Sequence, residues 1–574
     1  MTGRSAAVLV VSIVAVTACS DGAVAPDVWP HTALPPCTQS IAQTITLPVA
    51  GYISLDPILD SGCVLLQTNA SAINSVEYLL VPQSVSSSSG KSAPFQLKGG
   101  ALPAGVTAQL VGPTAVGQAA PSSVAIQFDQ FLRNLAYTRN YTVPVPTPVT
   151  PGGNPRSMSF QAPAVAGPPA LGDLRTFKVC NVLTCKTLSN VTARVKAVGM
   201  HIAVYVDTLA PIAGLDSAEL DTLKQVFDTR LYPLDTAAFG GISDIDSNTV
   251  AIVLMSGTVN HLVTASQCTS AGFVAGFFFS GDLDPAFRSQ YNQGEIFYSI
   301  VADPNGTLSC PHTTAQVKSL MPVTFTHEFQ HMINFVQHVL VPPTGQAEEG
   351  WMDEGLSRYA EELGGRSYLP ADQASFSQYA IGDVYDAYQY LAATGDSPLL
   401  IPQDNGTLAD AGASWLFVRY LVDQLRTDTT LAASAVVTRK LAQSKLTGAA
   451  NVAAQTGQAF EATLSRWAAA NWVSDLPGFT APPELQYTSW HFRTTYASLH
   501  TQDPGHFPQP YPLVPVAVAG ATVNVSGTLR SGSGVYVRAL QAPGDSAFVL
   551  RFSGGGTRPL SSAVVPRLII IRIR

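Results

Sequence analysis

Residues 327–331 read His-Glu-Phe-Gln-His. On a helix, positions i and i+4 lie one turn apart on the same face. His327 and His331 would then present two imidazoles to one ion, part of the tetrahedral shell that Zn²⁺ prefers. Glu328 sits about 100° round the helix from His327, because a turn takes about 3.6 residues. From there its carboxylate reaches a water beside the ion and can act as general base. Phe329 and Gln330 are uncharged, as a buried metal helix requires. The implied chemistry is metal-assisted hydrolysis. The bland alternative is two histidines satisfied by hydrogen bonds on an amphipathic face.

Two histidines and a water leave room for one more protein donor. Residues 350–359 read Gly-Trp-Met-Asp-Glu-Gly-Leu-Ser-Arg-Tyr. The distance from His331 to Glu354 lets one helix end, a loop turn, and a second helix pack back. Val341-Pro342-Pro343-Thr344-Gly345 supplies the break. Gly355 beside Glu354 would let the two helices approach closely. Rival donors are Glu348, Glu349, Asp353, Glu361, Glu362 and His338. Glu348 and Glu349 read as loop residues, and Glu361 and Glu362 as solvated or supporting groups. His338 shares the face of His331 but lies two turns away, too far for the same ion.

These side chains need a scaffold. A long helix is expected over 314–339, interrupted at Pro322, and a second over 351–363. Upstream, 176–179, 202–206, 249–255 and 295–301 read as strands, and 217–231 as a helix with Asp216 as N-cap. Helical patterns continue over 411–425, 430–441 and 452–474. Short apolar or alternating runs, 76–81 and 124–128 among them, suggest an all-β, sandwich-like segment over 37–165. A Pro-rich linker follows at 144–155, and β-type runs return after Pro477, ending in a strand at 569–573. The expected fold is multidomain α+β. Its parts are a signal peptide (1–18), a tether (19–36), an N-terminal β domain (37–165), a zincin-type α+β domain (173–477) and a C-terminal β domain (478–574).

The net charge of -8 and the absence of any basic run give nucleic acid no electrostatic footprint. The apolar run 6–16 is too short to span a bilayer but suits a signal-peptide core. Val16-Thr17-Ala18-Cys19 resembles a bacterial lipobox, which implies cleavage before Cys19 and membrane anchoring through a lipid on its thiol. The expected location is the cell envelope or the extracellular space. Six further cysteines suit an oxidising compartment, and proximity pairs Cys37–Cys63, Cys180–Cys185 and Cys268–Cys310. Asp244-Ile245-Asp246-Ser247-Asn248 invites a Ca²⁺ reading, but Met255 stands at the twelfth position, so no full EF-hand exists. A turn closed by Asp side chains is favoured there.

His-Glu-Phe-Gln-His followed by Trp-Met-Asp-Glu-Gly-Leu-Ser-Arg-Tyr resembles the gluzincin pattern, most closely the hyicolysin-type neutral metallopeptidases. Tyr205-Val206-Asp207, Phe239-Gly240 and 415–421 are similar to that group. The resemblance covers about 175–475. It implies a zinc endopeptidase with a thermolysin-like helical core and Glu354 as third ligand. In the thermolysin branch an Asp four residues after the ligand Glu orients a histidine. This chain has Arg358 there, and Glu361, about a turn further on, is the candidate partner. Tyr359, Tyr379, Tyr385, Tyr388 and Tyr420 are candidate oxyanion donors. The runner-up reading is a binding or adhesive lipoprotein with a structural or vestigial metal centre, against which the retained Glu328 argues. An exopeptidase would need groups that capture a free amino terminus, and none is identified.

Overall fold

A computed structural model describes residues 33–101, 123–139, 141, 167–284, 286, 290–342, 345–401 and 406–574. The signal segment, Cys19 and the linker at 144–155 lie outside these residues.

The centre of the molecule is a six-stranded mixed sheet. Its order is Gly276–Phe278, Ile296–Ser299, Ala251–Met255, Ile202–Asp207, Leu188–Val198 and Leu174–Cys180. Ala251–Met255 is buried along its whole length and pairs in parallel on both sides. Its unbroken apolar run Ala-Ile-Val-Leu-Met is what a strand covered on both faces requires. Leu188–Val198 alternates buried and exposed positions, as a strand with one wet face does. Gly276–Phe278 is an edge strand, antiparallel to Ile296–Ser299. A Cβ on Gly276 would come within 2.5 Å of Thr324 Cγ2, so glycine lets this edge lie directly on the motif helix.

The motif helix is Thr314–Phe335. Thr313 caps it: its side chain accepts from Gln316 N while Gln316 Oε1 accepts from Thr313 N. The expected interruption at Pro322 does not occur. Proline removes one backbone bond, but Met321, Pro322 and Phe325 are buried, and packing holds the helix through the gap. Gly350–Arg366, the ligand helix, packs back against it. Gly355 permits a different close approach from the one expected. A Cβ there would lie 2.7 Å from Ser414 O and Val418 Cγ2, on helix Leu408–Leu425, and not against the motif helix. Ser217–Val226 begins at Asp216, whose side chain accepts from Glu219 N.

Two further sequence expectations change. The β segments at the two ends of the chain are one sandwich, not two domains. One sheet runs Gln43–Ile45, Cys63–Leu66, Phe548–Ser553, Ser92–Ala101, Asn524–Arg530; the other runs Val516–Ala519, Val537–Gln541, Val76–Ser84, Pro566–Arg572, Tyr52–Leu55. Val76–Ser84 is buried throughout and sits between two C-terminal strands, so neither end could cover its own core alone. The apolar core of this sandwich draws on both ends, with Leu66, Leu80, Phe95, Leu550 and Ile570 among its buried residues.

The second change is at 124–128, which forms no strand. It opens helix Val124–Tyr137, here the upstream helix. Val124, Ile126 and Phe128 alternate, but Phe128, Leu132 and Ala136 continue at helical spacing and are all buried. All three expected disulfides are present. No helix among the described residues is long and apolar enough to cross a membrane.

Candidate metal centre

The motif helix turns both imidazoles toward one point. His327 Nε2 and His331 Nε2 lie 3.1 Å apart. Glu354 Oε2, from the ligand helix, is 3.7 Å from each. Asp129 Oδ1, from the upstream helix, is 3.5 Å from His331 Nε2. Donor atoms of these four residues all fall within 4.8 Å of one another.

The far sides of the rings are held by carboxylates. His327 Nδ1 is 2.7 Å from Glu361 Oε1, and His331 Nδ1 is 3.1 Å from Asp353 Oδ1. Asn334 Nδ2 donates to the same Asp353 oxygen at 2.6 Å. A carboxylate at each Nδ1 draws the ring proton there and leaves Nε2 bare toward the centre. Glu354 is steered likewise. Arg358 Nε donates to its Oε1 at 2.7 Å, and Asp383 and Asp386 hold the same guanidinium. Arg358 thus orients the carboxylate, while Glu361 takes the histidine.

The electrostatics ask for a cation. Burial opposes the charged form of His327, yet Glu354, Glu361 and Glu328 outweigh it and push the ring up to about 10. Burial, Arg133 and His327 drive His331 well below its usual range. Burial raises Glu328 to about 7 against the pull of His327, Arg133 and the Phe278 backbone. Glu354 Oε2, Glu328 Oε2 and Asp129 Oδ2 are all buried without a hydrogen-bond partner. Orphaned acceptors beside two bare imidazole nitrogens are costly unless a positive charge lies between them. The donor set suits a divalent cation.

The rival donors go elsewhere. Asp353 supports His331. Glu348 accepts from Gly448 N, Glu349 N and Asn451 Nδ2. Glu349 accepts from Trp351 Nε1, and Glu362 from Arg366, Arg419, Trp415 and Trp490. His338 is buried with its Nε2 3.7 Å from Glu348. The candidate oxyanion tyrosines make their recorded contacts with residues other than the donors. Tyr388 and Tyr420 hydroxyls donate to Gln509 O and Glu484 O, Tyr359 accepts from Arg419, Tyr379 packs on Tyr368, and Tyr385 packs on Phe507. Asp244 and Asp246 accept from Thr249 N and Asn248 N, closing their own turn, with Glu295 beside them.

Asp129 and Arg133 were missed by sequence reasoning. Reading the alternation at 124–128 as a strand hid the i,i+4 pair that a helix puts on one face.

No family model matches the chain. It is 26% identical over 196 residues to the neutral metalloprotease ShpI of Staphylococcus hyicus. The match covers 34% of this chain and 40% of that protein's length. This distant likeness supports a metallopeptidase relationship.

Proposed function

We propose that the chain is an exported zinc endopeptidase of the gluzincin type, most like the hyicolysin-type neutral metallopeptidases. His327, His331 and Glu354 hold the ion and Glu328 is the general base. One observation carries the reading: three bare donor atoms, two Nε2 and one Oε2, converge within 3.7 Å of each other, next to a glutamate with a free oxygen. The likeness to a neutral metalloprotease supports it.

When bound, zinc lowers the pKa of a water toward about 7 and polarises the scissile carbonyl. Glu328 would accept a proton from the attacking water on its free Oε2 and deliver it to the leaving amine nitrogen. Glu361 and Asp353 hold the two rings at Nδ1 so that neither turns during the reaction. Gly276–Phe278 is the outer strand of its sheet, and once Arg133 releases Phe278 O its backbone would take an extended peptide, which suits cleavage within a chain. Residues 173–477 form the proposed peptidase domain. The lipid on Cys19 ties it to a bacterial envelope; without that lipid the protein is extracellular.

The test is cleavage of a denatured protein by the chain and by Glu328→Gln, with zinc content measured on both. Zinc in both and cleavage by the parent alone is expected. Equal cleavage by the variant overturns the role of Glu328. In parallel, Cys19→Ser is expected to leave the membrane fraction, and unchanged fractionation overturns the anchor.

A further inference from the structure

The upstream helix lies across the place a substrate needs. Asp129 Oδ1 stands 3.5 Å from His331 Nε2, and Arg133 Nε is 3.3 Å from that same oxygen. Arg133 Nη2 donates to Phe278 O at 2.8 Å, taking the backbone carbonyl of the edge strand. Phe128 packs edge-on against Phe277 at 5.3 Å between ring centroids. On the other side the helix meets the start of the ligand helix: a Cβ on Gly350 would sit 2.9 Å from Gln130 Oε1. One helix thus covers the donors and the sheet edge together.

Asp129 is also unusual in itself. It is largely buried, its side chain 16% exposed, and faces Glu354 and Glu328, with Arg133 as its nearest cation. Three carboxylates pressed together repel one another unless a proton or a cation lies among them. Two nitrogens and two carboxylate oxygens complete a four-coordinate shell, the closed form of a zinc site; a hydrolytic site keeps one position for water.

We propose that Asp129 is a fourth protein ligand and that Val124–Tyr137 is an internal inhibitor. Asp129 takes the place of the reacting water, and Arg133 takes the edge carbonyl that a peptide would use. The described arrangement is then a latent form, and activity requires the helix to leave. This rests on reading His327, His331 and Glu354 as metal ligands.

The test uses the full chain loaded with Co²⁺ in place of zinc, compared with Asp129→Ala and the near-isosteric Asp129→Asn. The readouts are the visible spectrum of the bound cobalt, the affinity of a peptide hydroxamate by calorimetry, and peptide cleavage. Both variants are expected to bind cobalt, to show a changed spectrum that shifts with pH as a water replaces the carboxylate, and to bind hydroxamate at least about 10-fold tighter, since removing a competitor restores the competent fraction. Cleavage should rise in parallel. Bound cobalt with an unchanged spectrum and unchanged hydroxamate affinity overturns the ligand while leaving the peptidase reading intact. A changed spectrum with reduced cleavage overturns the inhibitor. Failure of parent and variants alike to hold cobalt overturns the metal centre as well.

Discussion

Glu354 and Glu362 lie about two turns apart on one helix, both fully buried, in opposite surroundings. Around Glu362 every carboxylate oxygen is answered. Arg366, Arg419 and Trp490 donate to Oε1, and Trp415 to Oε2. Arg419 in turn bonds Asp423, which accepts from Thr488 N and Ser489 N. Around Glu354 one oxygen is answered by Arg358, and the other faces two imidazoles with nothing donated to it. A saturated cluster of buried charge holds a fold together. An unsaturated one is shaped for something that comes from outside the chain.

Alanine at each position should separate the two most sharply. Glu354→Ala should cost more than about 100-fold in zinc affinity, beyond what loss of a supporting partner costs, with the melting temperature little changed, because Arg358 keeps Asp383 and Asp386. Glu349→Ala, from the same segment, should keep zinc. Glu362→Ala should cost about 3–5 kcal/mol of stability, since Trp415 and Trp490 lose their buried acceptor and Arg419 is left with Asp423 alone as carboxylate partner, while zinc per folded molecule persists. Metal analysis and thermal unfolding check all three, and the reverse pattern would erase the distinction.

A smaller effect lies one contact further out. Glu361→Gln leaves His327 without its anionic partner and should weaken zinc binding about 10- to 100-fold; a competitive chelator titration measures it. Gly355→Ala should destabilise by about 1–3 kcal/mol through overpacking against Ser414 O, read by denaturant unfolding with the metal affinity of the folded fraction unchanged.

Glu348 stands between the two kinds. Three N–H groups answer it, yet burial raises it to about 8. The folded chain keeps this proton where the unfolded chain, near 4.5, has released it. The group's contribution is fully present below pH 4.5 and is lost as pH rises through 8. Glu348→Gln should remove that dependence and gain on the order of 1–3 kcal/mol at pH 9 relative to pH 5. Melting curves of both proteins at the two pH values decide it.

What could be read in advance was local. The His-Glu-Phe-Gln-His spacing, the Asp216 cap and the break before Gly350 lie within a few turns of what they control. Glu361 could be named because it is about a turn beyond Arg358, at helical distance. Four of the six strands of the central sheet were legible from apolar runs, while Leu188–Val198 and Gly276–Phe278 were not named, and the disulfides were legible from proximity. Pro322 misled because its local cost is real and only the surrounding packing outweighs it. Gly355 was read against the nearest helix in sequence, when the chain brings Leu408–Leu425 there instead.

The sequence by itself named the candidate donors His327 and His331, the proposed base Glu328 and the helix that carries them, because helical periodicity relates residues near one another in the chain; Glu354 was named from the resemblance of its segment. Only the tertiary structure decided that strands from both ends share one sandwich and that Asp129 and Arg133 reach the centre. Those pairings join residues far apart in sequence, and they are chosen by which buried surfaces and charges fit together in space, a choice no spacing along the chain records.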